Sequence, residues 1–288
     1  MNRCLVTKLN GSVDNTSLPR IGEMRIGISK IDSPNHWTQG FRFTVNKLTV
    51  LEIIGDGYFT DVKLTENKGK KITLNPNVNE NVYVSNGNFE VAILDKYALV
   101  SIFDYDSYSE GNSTYSQKNK SISDIGFFKY STALTNLGLS NTNISGDIAN
   151  LKNLTALTNL RLSNAQIPLT GEISALSTLS KCSTISLSFS KLTGDLAILP
   201  DACCEAALYY SKGSVFTWST RPSSAYIISL GGASLYSNVD KMLQDQAQCQ
   251  VGTTANKTIS ATGTRTSASD NAVATLQQKG YTVIINPA

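Results

Sequence analysis

The sequence is poor in histidine, a residue that many catalytic and metal sites require. Its 288 residues include one histidine, His36, within the turn-like stretch 33–37, where we expect a loop position without a chemical role. A single histidine excludes His₂ and His₃ metal sites and the HExxH motif. No Walker loop is present, and no GxGxxG motif follows a strand. We therefore expect no enzymatic activity, no cofactor and no metal ion.

Cysteine is also scarce, and its spacing suits neither disulfides nor zinc. The five cysteines are Cys4, Cys182, Cys203, Cys204 and Cys249, an odd number without any CxxC pair. Secreted disulfide frameworks use an even number of cysteines, and structural zinc sites use closely spaced pairs. The chain is therefore expected to be reduced and not built in an oxidising compartment.

Charged residues are few, and neutral polar residues take their place. They make up 16% of the chain, against about 25% in an average protein. The 34 Ser, 28 Thr and 25 Asn residues together outnumber the charged ones, which favours β-structure with many turns. The formal net charge of +3 gives no strong electrostatic footprint for nucleic acid, so no nucleic-acid partner is expected.

Long hydrophobic runs are absent from the sequence. No stretch of about 18 apolar residues occurs, so no membrane insertion is expected. The first ten residues contain too short an apolar run for a signal peptide and lack a small-residue cleavage site. The sequence therefore predicts no export signal.

The front of the chain shows the alternation that is typical of short β-strands. Residues 24–30 alternate between apolar and polar side chains, and Leu48–Ile54 is a nearly continuous apolar run that predicts a buried strand. Residues 82–94 have the pattern of a hairpin that turns at Asn86-Gly87. We predict an all-β, sandwich-like domain over residues 1–103.

Residues 104–121 differ in composition from what precedes and follows them. They are rich in Ser, Tyr, Asn and Asp and show no core periodicity, which predicts a linker or a long surface loop.

From residue 122 onward the sequence repeats itself. Residues 134–140, 157–163 and 182–188 share the pattern LxxLxLS, with Cys182 at the first apolar position of the third unit. The units begin 23 and 25 residues apart. This pattern resembles the leucine-rich repeat, whose units of about 20–29 residues carry an L-x-x-L-x-L core. The resemblance implies a solenoid in which each unit adds one strand and one convex segment.

Each repeat also contains a glycine followed by a carboxylate. The carboxylates are Asp147, Glu172 and Asp195. The preceding glycines are expected to adopt a left-handed turn, and the carboxylates to accept backbone N–H groups where the convex segment starts. The alternative is a metal ladder, although one carboxylate per coil is sparse for Ca²⁺, which takes about 6–8 oxygen ligands.

The repeats become irregular after Pro200. Residues 207–211 and 226–230 still have the composition of array strands, whereas Gly231-Gly232 is expected to be a loop pair. Helical patterns follow over residues 239–247 and up to Lys279-Gly280, where the glycine signals a helix end. We predict a mainly β protein in which residues 122–288 form a leucine-rich-repeat solenoid with an α/β C-terminal cap.

The outward positions of the repeat strands form the predicted binding surface. In a leucine-rich repeat the apolar strand positions point inward and their neighbours face the concave side. This side is small, neutral and rich in hydroxyl groups, and such surfaces usually bind rather than catalyse. Arg161 and Tyr209 are the expected anchors, because Arg and Tyr are enriched among interface hot spots. The predicted binding residues are Asn136, Asn159, Arg161, Ser163, Ser186, Ser188 and Tyr209.

Three longer segments are similar to one group of leucine-rich-repeat proteins. They are ISGDIANLKNLTALTNL at 144–160, ANKTISATGTRTSASDNAVATLQQKGYTVII at 255–285 and GYFTDVKLTENKGKKITL at 57–74. These segments resemble proteins of gut Bacteroidetes and of the crAss-like phages that infect them. In that group such chains are bacterial surface proteins or phage virion components, and no catalytic residue carries over to this chain.

This resemblance implies a structural or attachment protein of a bacteriophage virion, as a head or tail fibre component. Residues 1–103 would dock on capsid or tail proteins, and the repeats would face outward toward a host surface glycan or protein. Fibres are usually symmetric homo-oligomers, with a trimer as a guess. The alternative is a bacterial cell-surface adhesin, which the missing export signal disfavours.

Overall fold

The chain has a mainly β architecture in which one long sheet connects its front and its repeats. The computed structural model describes residues 24–28, 39–53, 71–84, 89–93, 95–104, 120–121, 124–139, 144–162, 169–188, 190–209, 214–235 and 237–287. Within these ranges the strands form sheets of ten, five and three strands, and α-helices are few.

The strands of the front part are short and divide between two sheets. They are β1 (Met24–Ile28), β2 (Gln39–Val45), β3 (Thr49–Ile53), β4 (Lys71–Leu74), β5 (Glu80–Val84), β6 (Phe89–Ile93), β7 (Leu99–Asp104) and β8 (Lys120–Ser121). The five-stranded sheet has the order β4-β3-β6-β1-β8, whereas β5, β2 and β7 belong to the ten-stranded sheet.

The repeats and the C-terminal part supply the remaining elements. The strands are β9 (Asn136–Gly138), β10 (Asn159–Arg161), β11 (Thr170–Glu172), β12 (Thr184–Ser186), β13 (Lys191–Asp195), β14 (Glu205–Ala207), β15 (Val215–Thr217), β16 (Ser229–Ser234), β17 (Thr258–Thr262) and β18 (Thr282–Asn286). The α-helices are α1 (Val239–Gln248) and α2 (Asp270–Gln278). Short 3₁₀ helices cover Lys96–Ala98, Ile125–Phe128, Ile148–Leu151, Ile173–Leu176, Leu196–Ile198 and Ser267–Ser269.

The repeats form a leucine-rich-repeat-like solenoid, as predicted. Strands β7, β9, β10, β12, β14, β16, β17 and β18 pair in parallel, one strand per coil. Asn136 pairs with Asn159, and Asn159 pairs with Thr184, so the sheet register reproduces the repeat spacing of the sequence. Three further strands, β11, β13 and β15, pair in parallel and form a separate small sheet.

The core is a continuous stack of the repeat leucines. The predicted inward positions are fully buried, including Leu137, Leu160, Ile185 and Cys182. Each leucine that is removed from water contributes about 2 kcal/mol, and no single coil can shield its own leucines. Stacked coils therefore stabilise each other, and Cys182 packs as the small hydrophobe that its position predicts.

The ten-stranded sheet continues across the predicted boundary between front part and repeats. Ser101 on β7 pairs in parallel with Asn136 on β9, while β2 and β5 extend the same sheet in antiparallel fashion. The division into domains at residues 1–103 and 122–288 stays a prediction. Most of the predicted linker over residues 104–121 lies outside the described residues.

Two predictions for the front part are wrong. The predicted hairpin does not form, because β5 pairs with β2 in one sheet and β6 pairs with β1 and β3 in another. The Asn86-Gly87 turn itself lies outside the described residues, as does His36. Leu48 is 64% exposed, because β3 begins only at Thr49 and residues 46–48 connect it to β2.

The C-terminal part alternates helices with strands. Helix α2 ends where predicted, and Gly280 follows it with a positive φ of 86°. Strand β18 is the edge of the ten-stranded sheet. Neither α-helix in the described ranges is long and apolar enough to span a bilayer.

Candidate binding surface

Two rows of side chains cross the parallel sheet on the side away from the leucine core. We call these rows the outer face. Sheet register defines them, because paired residues of neighbouring strands point to the same side. The first row is Ser101, Asn136, Asn159, Thr184, Glu205 and Ser229. The second row continues from Phe103 of β7 through Gly138, Arg161, Ser186, Ala207, Gly231 and Ser260 to Ile284 of β18.

Five of the predicted binding residues have surface available on this side. Asn136 and Asn159 are neighbours in the first row, and both are half-buried. Ser186 is half-buried beside the exposed Arg161 in the second row. Tyr209 follows β14 and is 41% exposed. The two expected anchors, Arg161 and Tyr209, are therefore exposed, and the residues near them on the sheet are mostly small and polar.

Of the other two predicted residues, one is buried and one is not described. Ser188 lies in the turn after β12 and is only 6% exposed. Ser163 lies outside the described residues.

Arg161 is exposed and is hydrogen-bonded to a residue of its own strand. Its Nε donates a hydrogen bond to Asn159 Oδ1 at 3.1 Å. In the second row its neighbours are Gly138 and Ser186, whose small side chains leave the guanidinium accessible. Because a guanidinium stays charged and offers five N–H donors, Arg161 supplies a positively charged hydrogen-bond donor on the outer face.

The Tyr209 ring lies against the backbone of the next coil at Gly231 and Gly232. A Cβ on Gly231 would come within 2.5–2.7 Å of Cε2, Cζ and Oη of Tyr209, and one on Gly232 within 2.6 Å of its Cδ1. The ring therefore occupies space that any side chain at these two positions would need. The glycine pair belongs to strand β16 and not to a loop as predicted, and sheet register shifts there.

Glu205 brings a carboxylate to the outer face close to the segment that follows α1. Its Oε2 accepts a hydrogen bond from Thr254 Oγ1 at 3.3 Å, and Ser229 Oγ donates one to the Asn256 carbonyl. Residues 254–256 thus border the first row. No sequence pattern predicts this border, because Glu205 and Thr254 are 49 residues apart and belong to no common motif.

A ladder of hydroxyl groups fixes the coils beneath the outer face. Thr135 Oγ1 donates to the Val100 carbonyl at 3.1 Å, Thr158 Oγ1 to Thr135 at 3.0 Å and Ser183 Oγ to Thr158 at 3.2 Å. Each of these carbonyls also accepts the backbone N–H of the residue whose hydroxyl it binds. The parallel strands are therefore held in register, and the outer face is a preorganised surface.

The glycine–carboxylate pairs lie away from the outer face and have a structural role. Gly146, Gly171 and Gly194 have φ values of 109°, 118° and 114°, which confirms the predicted left-handed φ, although Gly171 and Gly194 lie within strands β11 and β13 rather than in turns. Asp147 Oδ1 accepts the Ala149 N–H at 2.8 Å, and Asp195 Oδ1 accepts the Ala197 N–H at 2.9 Å.

The prediction for the third carboxylate is wrong, because Glu172 makes no side-chain hydrogen bond to the backbone at its N-cap position. It accepts one from Ser174 Oγ at 3.3 Å instead. For the alternative of a metal ladder, no cluster of three or more candidate ligand side chains occurs among the described residues.

The thiols of the repeats are buried and unreactive. Cys182, Cys203, Cys204 and Cys249 are free and buried. Burial raises the pKa of Cys182 and of Cys203 to about 12. Because the thiolate is the nucleophile, these two side chains offer no nucleophile at neutral pH.

Comparisons with known proteins give similarity of fold only. The chain matches no protein-family model, and no curated protein is significantly similar to it. Among solved structures, it is 22% identical to the leucine-rich-repeat ectodomain of the plant membrane receptor kinase GASSHO1/SCHENGEN3 from Arabidopsis thaliana, with a TM-score of 0.38. That match covers 66% of this chain and 21% of the ectodomain, so the chain spans about a fifth of its length.

Two further solved structures show weaker likeness. A plant ice-binding protein is 23% identical, with a TM-score of 0.28 over 40% of this chain and 39% of that one. Pollen Receptor Kinase 3 is 20% identical, with a TM-score of 0.27 over 38% of this chain and 58% of that one. These scores are too low to support an argument about function. The leucine-rich-repeat-like fold rests on the strand register of the chain itself.

Proposed function

We propose that the chain is a non-enzymatic binding protein that acts as an attachment component of a bacteriophage virion. The outer face carries the binding part of this proposal. Arg161 and Tyr209 are exposed there above small polar side chains, on strands whose register is fixed by hydroxyl hydrogen bonds. Preorganised surfaces of this kind bind with little loss of side-chain freedom.

The virion assignment rests on the sequence resemblance to leucine-rich-repeat proteins of crAss-like phages. In this proposal the front of the chain docks on capsid or tail proteins, and the outer face points toward the host. The division of the front strands between two sheets, with Phe43, Leu51 and Leu99 buried, supports a sandwich-like docking domain. A homo-oligomer, with a trimer as the working assumption, would present several outer faces at once.

Binding to whole cells of gut Bacteroidetes tests the outer face. The double variant Arg161→Ala/Tyr209→Ala should lose most cell binding, because it removes both anchors. A matched control, Lys191→Ala/Tyr130→Ala, removes a cation and an exposed tyrosine that lie outside the two rows and should bind like the unmodified chain. Equal binding by all three proteins would contradict the assignment of the outer face.

The location of the natural protein tests the virion assignment. Electron microscopy of purified phage particles should show the chain docked through residues 1–103 on capsid or tail proteins. A lone chain on the surface of uninfected bacteria, processed at its N-terminus, would instead establish the bacterial adhesin.

A further inference from the structure

Strand β18 is an open edge of the ten-stranded sheet. Within the described ranges it pairs in parallel with β17 on one side and is the last strand of the sheet on the other. The Thr282 N–H donates to the carbonyl just before β17, and the Asn286 carbonyl accepts the N–H just after it. Backbone groups alternate in direction along a strand, so residues 282, 284 and 286 are bonded to β17. The N–H and C=O groups of Val283 and Ile285 therefore point away from the sheet.

The hydrophobic core is incompletely covered at the same end. Val283 and Ile285 lie beside Ile259 and Ala261 of β17. The two β17 side chains are buried, whereas the two β18 side chains are only half-buried. Val273 of α2 is half-buried as well, and it packs with them against the core. In a solenoid the next coil covers such positions, so the last coil presents an apolar surface that a further layer would bury.

No feature of β18 itself blocks pairing with another strand. Natural sheet edges usually carry a lysine, a proline or a bulge that prevents such pairing. Strand β18 has the sequence TVIIN and a regular register, and Pro287 follows its last residue. Ile284, at the centre of the strand, is 44% exposed. A regular apolar edge of this kind is a template for another strand.

The strand that complements β18 best is a second β18. Its pattern of polar and apolar residues reads the same in both directions, with Thr282 and Asn286 on either side of three aliphatic residues. In an antiparallel pair centred on Ile284, each Val283 lies opposite an Ile285. These are the residues with free backbone groups, so they form the hydrogen-bonded pairs of the ladder. The two Ile284 side chains then meet in the closer, non-hydrogen-bonded pair.

The charges of the last coil also favour an antiparallel copy. Lys257 and Lys279 lie at the start of β18, since the Lys257 carbonyl accepts the first N–H of β18 and Lys279 follows α2. At the other end are Arg265, which follows β17, and its ion-pair partner Asp270, which begins α2. Asp270 is the one carboxylate of residues 254–288. An antiparallel copy brings the two lysines toward this carboxylate, whereas a parallel copy would bring lysine toward lysine.

We infer that two copies of this chain associate through antiparallel pairing of their β18 strands, about a twofold axis at Ile284. The two ten-stranded sheets join into one, and the half-buried side chains of both last coils cover each other. Paired residues point to the same side of a sheet, so both outer faces lie on one side of the dimer. The inference goes beyond the proposed function and replaces its assumed trimer with a dimer.

Sedimentation velocity over a range of protein concentrations tests the dimer. The contact is small, so we expect a dissociation constant on the order of micromolar. Ile284→Lys places like charges opposite each other on an exposed position and should weaken the dimer at least about tenfold. Val215→Lys is the matched control, because Val215 is 40% exposed on β15 of the small sheet, and it should leave the dimer unchanged. A monomer at all concentrations, a trimer, or full dimerisation of Ile284→Lys would overturn the inference.

A proline variant tests the hydrogen bonds of the contact. The Ile285 N–H points to the free side of the edge strand, where a proline is tolerated. Ile285→Pro therefore removes a donor that only the second copy would use, and a folded variant should be monomeric. A folded Ile285→Pro variant that dimerises as strongly as the unmodified chain would overturn the strand pairing. If this variant does not fold, the comparison of Ile284→Lys with Val215→Lys decides.

Hydrogen exchange identifies what covers the edge. The Val283 and Ile285 amides should exchange slowly in the dimer and faster after dilution to the monomer. Slow exchange in a monomer would mean that another part of the chain covers β18, which would overturn the dimer. Cell binding separates the two proposals: a chain that binds cells but never dimerises overturns only this inference. A dimer through β18 that binds no cells supports this inference and contradicts the proposed function.

Discussion

The carboxylate of Asp147 occupies the space that a side chain on Gly171 would need, one coil further along the array. Asp147 is held there because its Oδ1 accepts the Ala149 N–H at 2.8 Å. Gly171 has a φ of 118°, a conformation that other residues rarely adopt. The cap of one coil and the turn of the next therefore depend on each other.

Gly171→Ala is expected to lower the free energy of unfolding by about 2–4 kcal/mol, from backbone strain and from the clash with Asp147. Urea denaturation measures this loss. Gly194→Ala is the matched control, because Gly194 has a similar φ of 114° but its Cβ would lie 3.5 Å from the nearest atom. That variant should lose only about 1–2 kcal/mol from strain. Equal losses would show that the contact with Asp147 has no effect.

The same pairs show how far local sequence patterns predict structure. The caps at Asp147 and Asp195 follow from a short carboxylate placed just before the convex segment. The prediction fails at Glu172, because its extra methylene group moves the carboxylate away from the nearby backbone N–H groups. Glu172 has the charge and the position that the pattern requires, but its longer side chain does not cap the backbone.

Contacts between distant segments could not be predicted from the repeat pattern. The period identified Leu137, Leu160 and Ile185 as core residues, because each coil repeats the same inward positions. The contact between Tyr209 and Gly231 connects two irregular coils, and no sequence pattern predicts the register of these coils. Likewise, β7 pairs in parallel with β9 of the repeats, although a long segment separates the two strands in sequence.

Leu160→Asp should abolish the cooperative unfolding of the array. Leu160 is fully buried, and an unpaired carboxylate in the leucine stack costs several kcal/mol. Asn159→Asp is the neighbouring control, because residue 159 is half-buried on the outer face, and it should change stability by less than about 0.5 kcal/mol. Thermal unfolding followed by circular dichroism distinguishes them. A Leu160→Asp variant that keeps its transition would contradict the register of β10.

Alkaline pH should destabilise the array through its buried thiols. Burial raises the pKa of Cys182 and Cys203 from 9.0 to about 12. Below pH 9 both states hold these protons, so the stability is fully present. Between pH 9 and pH 12 the unfolded chain loses them while the folded chain keeps them. Each thiol should then lower the free energy of unfolding by about 1.4 kcal/mol per pH unit.

Denaturant titrations at pH 8, 9, 10 and 11 test this dependence. The double variant Cys182→Ala/Cys203→Ala should show a shallower decline than the unmodified chain, because its unfolded state has two fewer thiols to ionise. Each single variant should fall between them. Parallel curves for all four proteins would mean that these thiols ionise equally well in the folded state.

The guanidinium of Arg221 binds several backbone carbonyls of the irregular coil after Pro200. It is 3% exposed, and burial lowers its pKa, although an arginine remains protonated at neutral pH. Its nitrogens donate to the carbonyls of Ala197, Leu199, Pro200, Cys203 and Tyr226 at 2.9–3.4 Å. These carbonyls end one coil and begin the next, so one planar group satisfies acceptors on both.

Arg221→Lys should therefore lower the free energy of unfolding by about 2–4 kcal/mol, although the charge is kept. An ammonium group has three donors, so at least two of the five carbonyls lose their side-chain donor. The Pro200 carbonyl still accepts the Cys203 N–H, so at least one other carbonyl loses the hydrogen bond that the guanidinium gives it, at about 1–3 kcal/mol, and the remaining bonds lose their planar geometry. Arg161→Lys is the matched control on the exposed outer face and should change stability by less than about 0.5 kcal/mol. Denaturation in urea compares the two. A fully stable Arg221→Lys variant would mean that charge, rather than the geometry of the guanidinium, holds this coil.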